Sequence, residues 1–444
     1  MKIFEIQSAR ISAFSPVLGQ TACLLCCLGL HCLSLCCLPT RGLGQKARHG
    51  AAVAHERWLF EAVDTASQKP LDFSRVDTLL RDSLSRLGGG CALVLIHNGR
   101  VVFERGYGSV KPETVLPIAS ASKWLSAALL LTMVDDGRLR LTDSIGKYLQ
   151  YLSGRKAAIT VAQAFSHTSG FAGEIAPMRN TKLTMKNAVY AICKQPLRYA
   201  PGAGFAYGGA SMQIGGRIVE IVGKNKWEYL FQERIAQPLG MKNTSFYGAG
   251  FTDNPLVAGS AKSSAKEYAI FLQMIAQKGV WQGRRVLSEE AIKAMFHNHA
   301  ANAPILREFE QQSAALSHRN EKAQYGLGVW LMLREPLSGI VLGSDALRAI
   351  QTEEIWEAYS QGRYGFSPWI DFRRNLIGVF SVKAPLRAVS PTYQRMKAIL
   401  REIVPLAPPE IAQKPVVKPP LAPPAAPARA AVRNASKSKS KSKK

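Results

Sequence analysis

The chain has 444 residues, 47% hydrophobic and 20% charged, and its 57 Lys and Arg against 31 Asp and Glu leave a formal charge of +26. That apolar content at this length supports a large buried core and excludes disorder throughout. The charge implies attraction to polyanions, among them nucleic acid, anionic lipid and acidic envelope polymers, without choosing between them.

The first predicted element is an export leader. No Asp, Glu, Lys or Arg falls between Arg10 and Arg41, and Val17 to Leu38 is mostly Leu, Cys and small residues. Basic Lys2 and Arg10 before the run and Gly42-Leu43-Gly44 after it fit a signal peptide over residues 1–44, an uncleaved N-terminal anchor being the alternative. The expectation is an exported protein, periplasmic or cell-envelope associated, that meets a membrane only through this segment. Six of the eight cysteines, Cys23, Cys26, Cys27, Cys32, Cys36 and Cys37, lie in the leader as apolar filler, and only Cys23, after Ala22, is a candidate for lipid attachment. Cys91 and Cys193 remain beyond it and would pair only if the fold brought them close. No CxxC pair has matching downstream ligands, so no zinc site is expected.

After a linker over residues 45–70, one domain is expected over residues 71–404. His55 to Leu87 reads as helix, with Val76, Leu79, Leu80, Leu84 and Leu87 at three- and four-residue spacing, stopped by Gly88 to Gly90. Two β-rich runs, from Cys91 and from Val101, flank His97-Asn98-Gly99-Arg100, and Asn-Gly in that setting predicts a tight hairpin. From Ser120 to Asp135 the pattern is helical and apolar almost all round, which predicts a buried helix. Helical runs then dominate at Asn187 to Ile192, Ser211 to Val222, Trp227 to Ile235 and Ala265 to Lys278. Strand character returns at Gly326 to Leu333, Phe366 to Ile370 and Leu376 to Val382, and a last helix is expected over Pro391 to Val404. Strands at both ends around a helical middle predict an α+β fold, an antiparallel sheet flanked by helices with an inserted, mainly helical lobe. Residues 405–444 carry nine Lys and Arg against the single acid Glu410, with no aromatic residue. This Pro/Ala/Lys-rich segment is expected to be disordered. Without aromatics it is a poor nucleic-acid binder, which leaves a solubility tail or a contact with an anionic envelope polymer.

Chemistry concentrates at Pro117-Ile118-Ala119-Ser120-Ala121-Ser122-Lys123-Trp124. Ser and Lys three apart share one helix face, so the amine can reach the hydroxyl, and the helix N-terminus favours developing negative charge on the oxygen. Burial of that turn would lower the lysine pKa toward base competence. A capping Ser followed by a solvated Lys is the structural alternative.

Several further segments, in order along the chain, extend this motif. Asp136-Gly-Arg-Leu-Arg-Leu-Thr-Asp143, Phe165-Ser-His-Thr-Ser-Gly170, Pro201-Gly202 to Tyr207, Arg217-Ile-Val-Glu and Pro238-Leu-Gly-Met241 follow one another. With the Ser-Lys motif, the region from about Val94 to Val382 resembles the β-lactamase-related serine hydrolase superfamily, which includes class C β-lactamases, D-alanyl-D-alanine carboxypeptidases and related esterases. The resemblance implies that Ser120 attacks a carbonyl to form an acyl-enzyme, that Lys123 accepts or relays its proton, and that Tyr207 acts as general base or acid. A phenol ionises near pH 10 in water, so Tyr207 would need the charge of Lys123 to lose its proton near neutrality. Which group is the base in related SxxK enzymes is disputed.

Two positions depart from the family. Its Tyr-x-Asn is Tyr207-Gly208-Gly209 here, without the amide that would hold a β-lactam or peptide carbonyl. The third motif, Lys or His, any residue, then Gly, falls at Ser360-Gln361-Gly362 without a basic side chain; either the following Arg363 replaces that charge or carboxylate recognition goes with it, which would also argue against a carboxypeptidase. An oxyanion hole from the backbone amides of Ser120 and Arg363 survives both changes. His167 reads as a structural loop residue because no GxSxG elbow is present, and His297 and His299 read as a solvated helix end because no HExxH pattern accompanies them. No cofactor or metal is expected. The expected function is hydrolysis of an ester or amide in a small-molecule or cell-wall-derived substrate. A carboxypeptidase or β-lactamase is the enzymatic alternative, and a non-catalytic envelope-binding protein that retains the fold is the alternative from another class.

Overall fold

The computed structural model describes residues 70–301, 303–306, 322–333 and 355–407. The expected leader, nearly all of the linker and all but the start of the basic tail lie outside the described residues.

Helix α1 (Ser74–Asp82) is shorter than the apolar spacing predicts. Beyond it the amides of Leu84, Arg86 and Leu87 bond back three residues, to Arg81, Ser83 and Leu84. Such 3₁₀-like turns keep the three-residue apolar spacing after the α-helix has ended. The hairpin follows as predicted: β1 (Gly90–His97) and β2 (Arg100–Gly108) are joined at Asn98 and Gly99, both left-handed at φ 47° and 74°. Positive φ at both central positions is the turn that matches strand twist, and Asn-Gly adopts it at least cost.

Among the described residues these strands join β3 (Trp330–Leu333), β4 (Ile355–Tyr359), β5 (Ser367–Asp371) and β6 (Leu376–Val382) in an antiparallel sheet of order β2-β1-β6-β5-β4-β3. The two ends of the domain meet at its centre, where Cys91 faces Val382 and Leu95 faces Gly378. Every residue of β1 is buried, because both faces of the sheet are covered. Cys91, Leu93 and Leu95 pack with Val76 and Leu80 of α1 and with Met396 and Leu400 of α7 (Leu386–Ile403). Val94 and Ile96 pack into the other core, with the helical part of the chain.

That part contains the apolar helix α2 (Ser122–Asp135), then α3 (Met185–Lys194), α4 (Ala210–Gly223), α5 (Ala265–Ala276) and α6 (Glu289–Phe296). The run from Trp227 is helical too, but it widens into a π-helix over Gln232–Ala236. Helix α7 begins at Leu386, five residues before its expected start at Pro391, which lies inside the helix. A proline there forfeits one backbone bond, a cost offset by burial of Val389, Tyr393, Met396 and Leu400. Strand β4 escapes sequence reading because Glu357 interrupts its apolar pattern. Buried at that position, Glu357 accepts from Lys397 Nζ of α7 at 2.9 Å. No helix among the described residues is long and apolar enough to cross a membrane.

Candidate active site

The chain enters the site through Leu116-Pro117, which pairs with Lys262-Ser263, and then turns sharply at Ala119, left-handed at φ 46°. A β-carbon makes that conformation costly, and it sets the direction of the next residue. Ser120 therefore lies in a 3₁₀ turn (Ala119–Ala121) just ahead of α2, rather than in the helix itself. With three residues per turn, Ser120 and Lys123 stand one above the other. Lys123 is 3% exposed, and its Nζ donates to Ser120 Oγ at 3.1 Å and to the Ala258 carbonyl at 2.9 Å. The ring of Tyr207 closes over the amine, its centroid 4.5 Å from Nζ.

No carboxylate forms an ion pair with Lys123 among the described residues. Burial pushes its amine down to about 7; Glu174 pulls it back up, while Arg179 and Arg363 push it further down. Lowered that far, the amine can accept a proton. Of the two roles that the resemblance implies for Tyr207, the acid fits its surroundings and the base does not. Burial pushes its phenol up to about 12, against weaker lowering by the Ser120 hydroxyl and Trp330. The expectation that Lys123 would ionise Tyr207 near neutrality is therefore not met, because burial disfavours the phenolate more than its neighbours favour it. The geometry has a near-neutral amine as proton acceptor and a protonated phenol as donor.

The third-motif segment leaves the end of β4 and passes against the Ser120 turn. Ser360 Oγ donates to the Ser120 carbonyl at 3.1 Å. Gly362 passes so close that a β-carbon there would stand 2.2 Å from the Ile118 carbonyl oxygen, so only glycine fits. The Gly362 amide is taken by Phe366 O at 2.8 Å, and the Arg363 carbonyl accepts from Leu386 N at 2.9 Å, at the start of α7. All six predicted residues, Ser120, Lys123, Tyr207, Ser360, Gly362 and Arg363, are thus gathered around one turn.

Ser120, Lys123, Tyr207 and Arg363 border a cleft of about 260 Å³ whose walls also carry Glu174, Arg179, Leu256, Ala258 and Arg387. Glu174 is held by Arg179 at 2.6 Å, whereas Arg363 and Arg387 have no acidic partner among the described residues. None of these five was flagged from sequence: Glu174, Arg179 and Arg387 belong to no motif, and Ala258 contributes a backbone carbonyl that no side-chain pattern reveals. The substituted second motif has its own packing. Gly173 O accepts from the amides of Gly209 and Ala210 at 2.8 and 3.0 Å, and a β-carbon on Gly208 would lie 2.0 Å from that oxygen. At Gly209 the surroundings are apolar, with Met178 Sδ, Leu256 Cδ1 and Ala258 Cβ at 3.1, 3.2 and 3.3 Å from an added β-carbon. A separate cavity of about 300 Å³, bordered by Asp135, Arg234 and Arg285, contains none of the Ser120 group.

His167 is buried behind Tyr207, their ring centroids 4.8 Å apart, and its Nε2 meets Tyr325 Oη at 3.2 Å. Burial holds it well below the usual histidine range, so it packs as a neutral ring. His297 is exposed, but His299 is half-buried with Nε2 2.8 Å from Ala294 O, and burial lowers it to about 4, so the pair is only partly a solvated helix end. Among the described residues no three His, Cys, Asp or Glu side chains are grouped as a metal site. Cys91 and Cys193 are both free and lie in different core clusters, so they do not pair.

An antiparallel sheet with a helical region and a Ser-Lys-Tyr cluster at their junction defines a β-lactamase-like serine-hydrolase architecture. The β-lactamase family model matches residues 77–388, and the chain belongs to that family of serine hydrolases. A crystal structure of a candidate beta-lactamase from Bacteroides dorei is 30% identical, with TM-score 0.63 over 74% of this chain and 98% of that one. A D-amino acid amidase from Ochrobactrum anthropi shares the fold at 18% identity, with TM-score 0.56 over 74% of this chain and all of the other. Protein flp of Staphylococcus aureus MW2 is 26% identical over 188 residues, which is 39% of this chain and only 38% of that relative's length.

Proposed function

We propose that the chain is an extracytoplasmic enzyme that cleaves an ester or amide through a Ser120 acyl intermediate. The observation that carries this reading is Lys123 Nζ, buried without a carboxylate partner among the described residues and 3.1 Å from Ser120 Oγ. In the reaction Lys123 takes the hydroxyl proton as Oγ bonds to the substrate carbonyl carbon, and the resulting oxyanion is received by the amides of Ser120 and Arg363. Tyr207 gives its proton to the leaving oxygen or nitrogen as that bond breaks, and Lys123 restores the phenol. Water then attacks the acyl carbon by the same proton path in reverse.

Ester cleavage is favoured over β-lactam cleavage by Gly209, whose apolar surroundings replace an amide side chain, and by Ser360, which supplies no positive charge. A carboxylate-bearing substrate, including a cell-wall peptide, stays in contention because Arg363 and Arg387 line the cleft without acidic partners among the described residues. The test is labelling with a fluorophosphonate and with a labelled penicillin, followed by mass mapping. Label on Ser120 that disappears in Ser120→Ala is the expected result, with the fluorophosphonate reacting and penicillin not. Folded protein that takes neither label would sink the catalytic reading. Export is supported by the leader composition and is tested by fractionation with and without residues 1–44. For the basic tail we propose a contact with anionic envelope polymer; binding that survives deletion of residues 405–444 would reject it.

A further inference from the structure

Lys123 makes its second hydrogen bond to a backbone carbonyl, that of Ala258. The proposed base therefore depends on an irregular loop, residues 254–261, and something must hold that loop still. Gln213 of α4 does so. It is fully buried, and its side-chain amide commits every polar group to the loop: Nε2 donates to Asn254 Oδ1 at 2.8 Å and Pro255 O at 2.9 Å, and Oε1 accepts from Val257 N at 3.1 Å. Ser126, three residues beyond Lys123 on α2, donates to Val257 O at 2.5 Å from the other side. Asn254 in turn donates to the carbonyls of Pro177 at 3.2 Å and Asn180 at 3.0 Å, which flank Arg179 on the cleft wall. A buried amide is costly unless fully paired, and here all the pairing is spent on the strip of chain that ends at Ala258.

We propose that Gln213 is the positioning residue of the base: by fixing residues 254–257 it aims the Ala258 carbonyl at Lys123 Nζ and sets how readily Lys123 takes the Ser120 proton. A carbonyl acceptor holds an ammonium more strongly than an amine, so the aimed oxygen limits how far burial depresses the proton affinity of Lys123. Released, the carbonyl would neither orient the amine nor support its charged form.

The inference rests on Lys123 acting as base, and its test keeps the two apart. The rate of Ser120 modification by a fluorophosphonate is followed on the full chain from about pH 5 to 10. Gln213→Met is expected to lower the plateau rate about tenfold and to move the midpoint down by about half a pH unit or more. Ser126→Ala is expected to move both in the same direction by less, and it decides the matter by the same readout if Gln213→Met does not fold. Glu228→Gln weakens a comparable buried clamp, on Phe246 N, outside the cleft, and shows what lost stability alone does. A wild-type midpoint in Gln213→Met, with a rate either unchanged or slowed no more than in Glu228→Gln, would overturn the proposal. A wild-type chain that takes no label at Ser120 would instead remove the hydrolase reading beneath it.

Discussion

Two lysines in this molecule are buried to nearly the same depth, Lys123 at 3% exposure beside the cleft and Lys397 at 4% on the opposite side of the sheet. Burial lowers both, to about 7 and about 8. Their surroundings differ in one respect. Lys397 has a carboxylate, Glu357, at 2.9 Å, with Arg401 on the same oxygen at 3.4 Å and the Trp369 ring centroid 4.3 Å from Nζ. Among the described residues, Lys123 donates to neutral acceptors alone and lies against an aromatic face. A buried cation given a carboxylate is a structural tie, whereas one denied it is held ready to give up its proton.

The sharpest test of this contrast is Lys123→Met. It is expected to slow Ser120 labelling by about 10²–10⁴-fold while raising unfolding free energy by about 1 kcal/mol, since it removes an uncompensated polar burial; chemical denaturation read beside labelling measures both. On the other side of the sheet the signs reverse. Glu357→Ala is expected to cost about 3–5 kcal/mol by stranding Lys397, with labelling per folded molecule unchanged.

A third outcome concerns pH. Each lysine has a folded pKa below its unfolded value, so between the two the unfolded chain binds more protons and stability rises with pH. For Lys123 that window runs from about 7 to 10.5, and for Lys397 from about 8 to 10.5. Denaturation at pH 7 and 9 should therefore show a rise in wild type that shrinks in Lys123→Met, and labelling of wild type should switch on with a midpoint near 7. The smallest effect is expected at the cleft mouth. Arg363→Ala and Arg387→Ala should each weaken selection of a carboxylate-bearing ester over its neutral counterpart by about tenfold or less in kcat/KM.

The hairpin, the buried helix after Ser120 and the returning strands were legible because each carries a local signature: Asn-Gly between β-rich runs, an apolar face all round, a continuous apolar run. Ser120, Lys123 and Tyr207 were legible for the same reason, since short spacings and motif order bring them forward. What stayed hidden depends on partners distant in the chain. Strand β4 looks polar until Lys397 of α7 is laid against Glu357, and Ala258 is silent until its carbonyl meets Lys123. The choice between base and acid for Tyr207 stayed open because sequence shows the neighbouring charge but not the depth of burial that outweighs it.

The pairing of β1 with β6 has a consequence for how the protein comes into being. Ser120 and Lys123 are synthesised in the first third of the chain, yet Ser360, Gly362 and Arg363, which buttress them, come some 240 residues later, and the central strand at Gly90–His97 lacks one neighbour until Leu376–Val382 has emerged. Pairings so distant in sequence form late and slowly. The proposed nucleophile is thus built long before the residues that buttress it, and a nascent chain carries the serine without those surroundings.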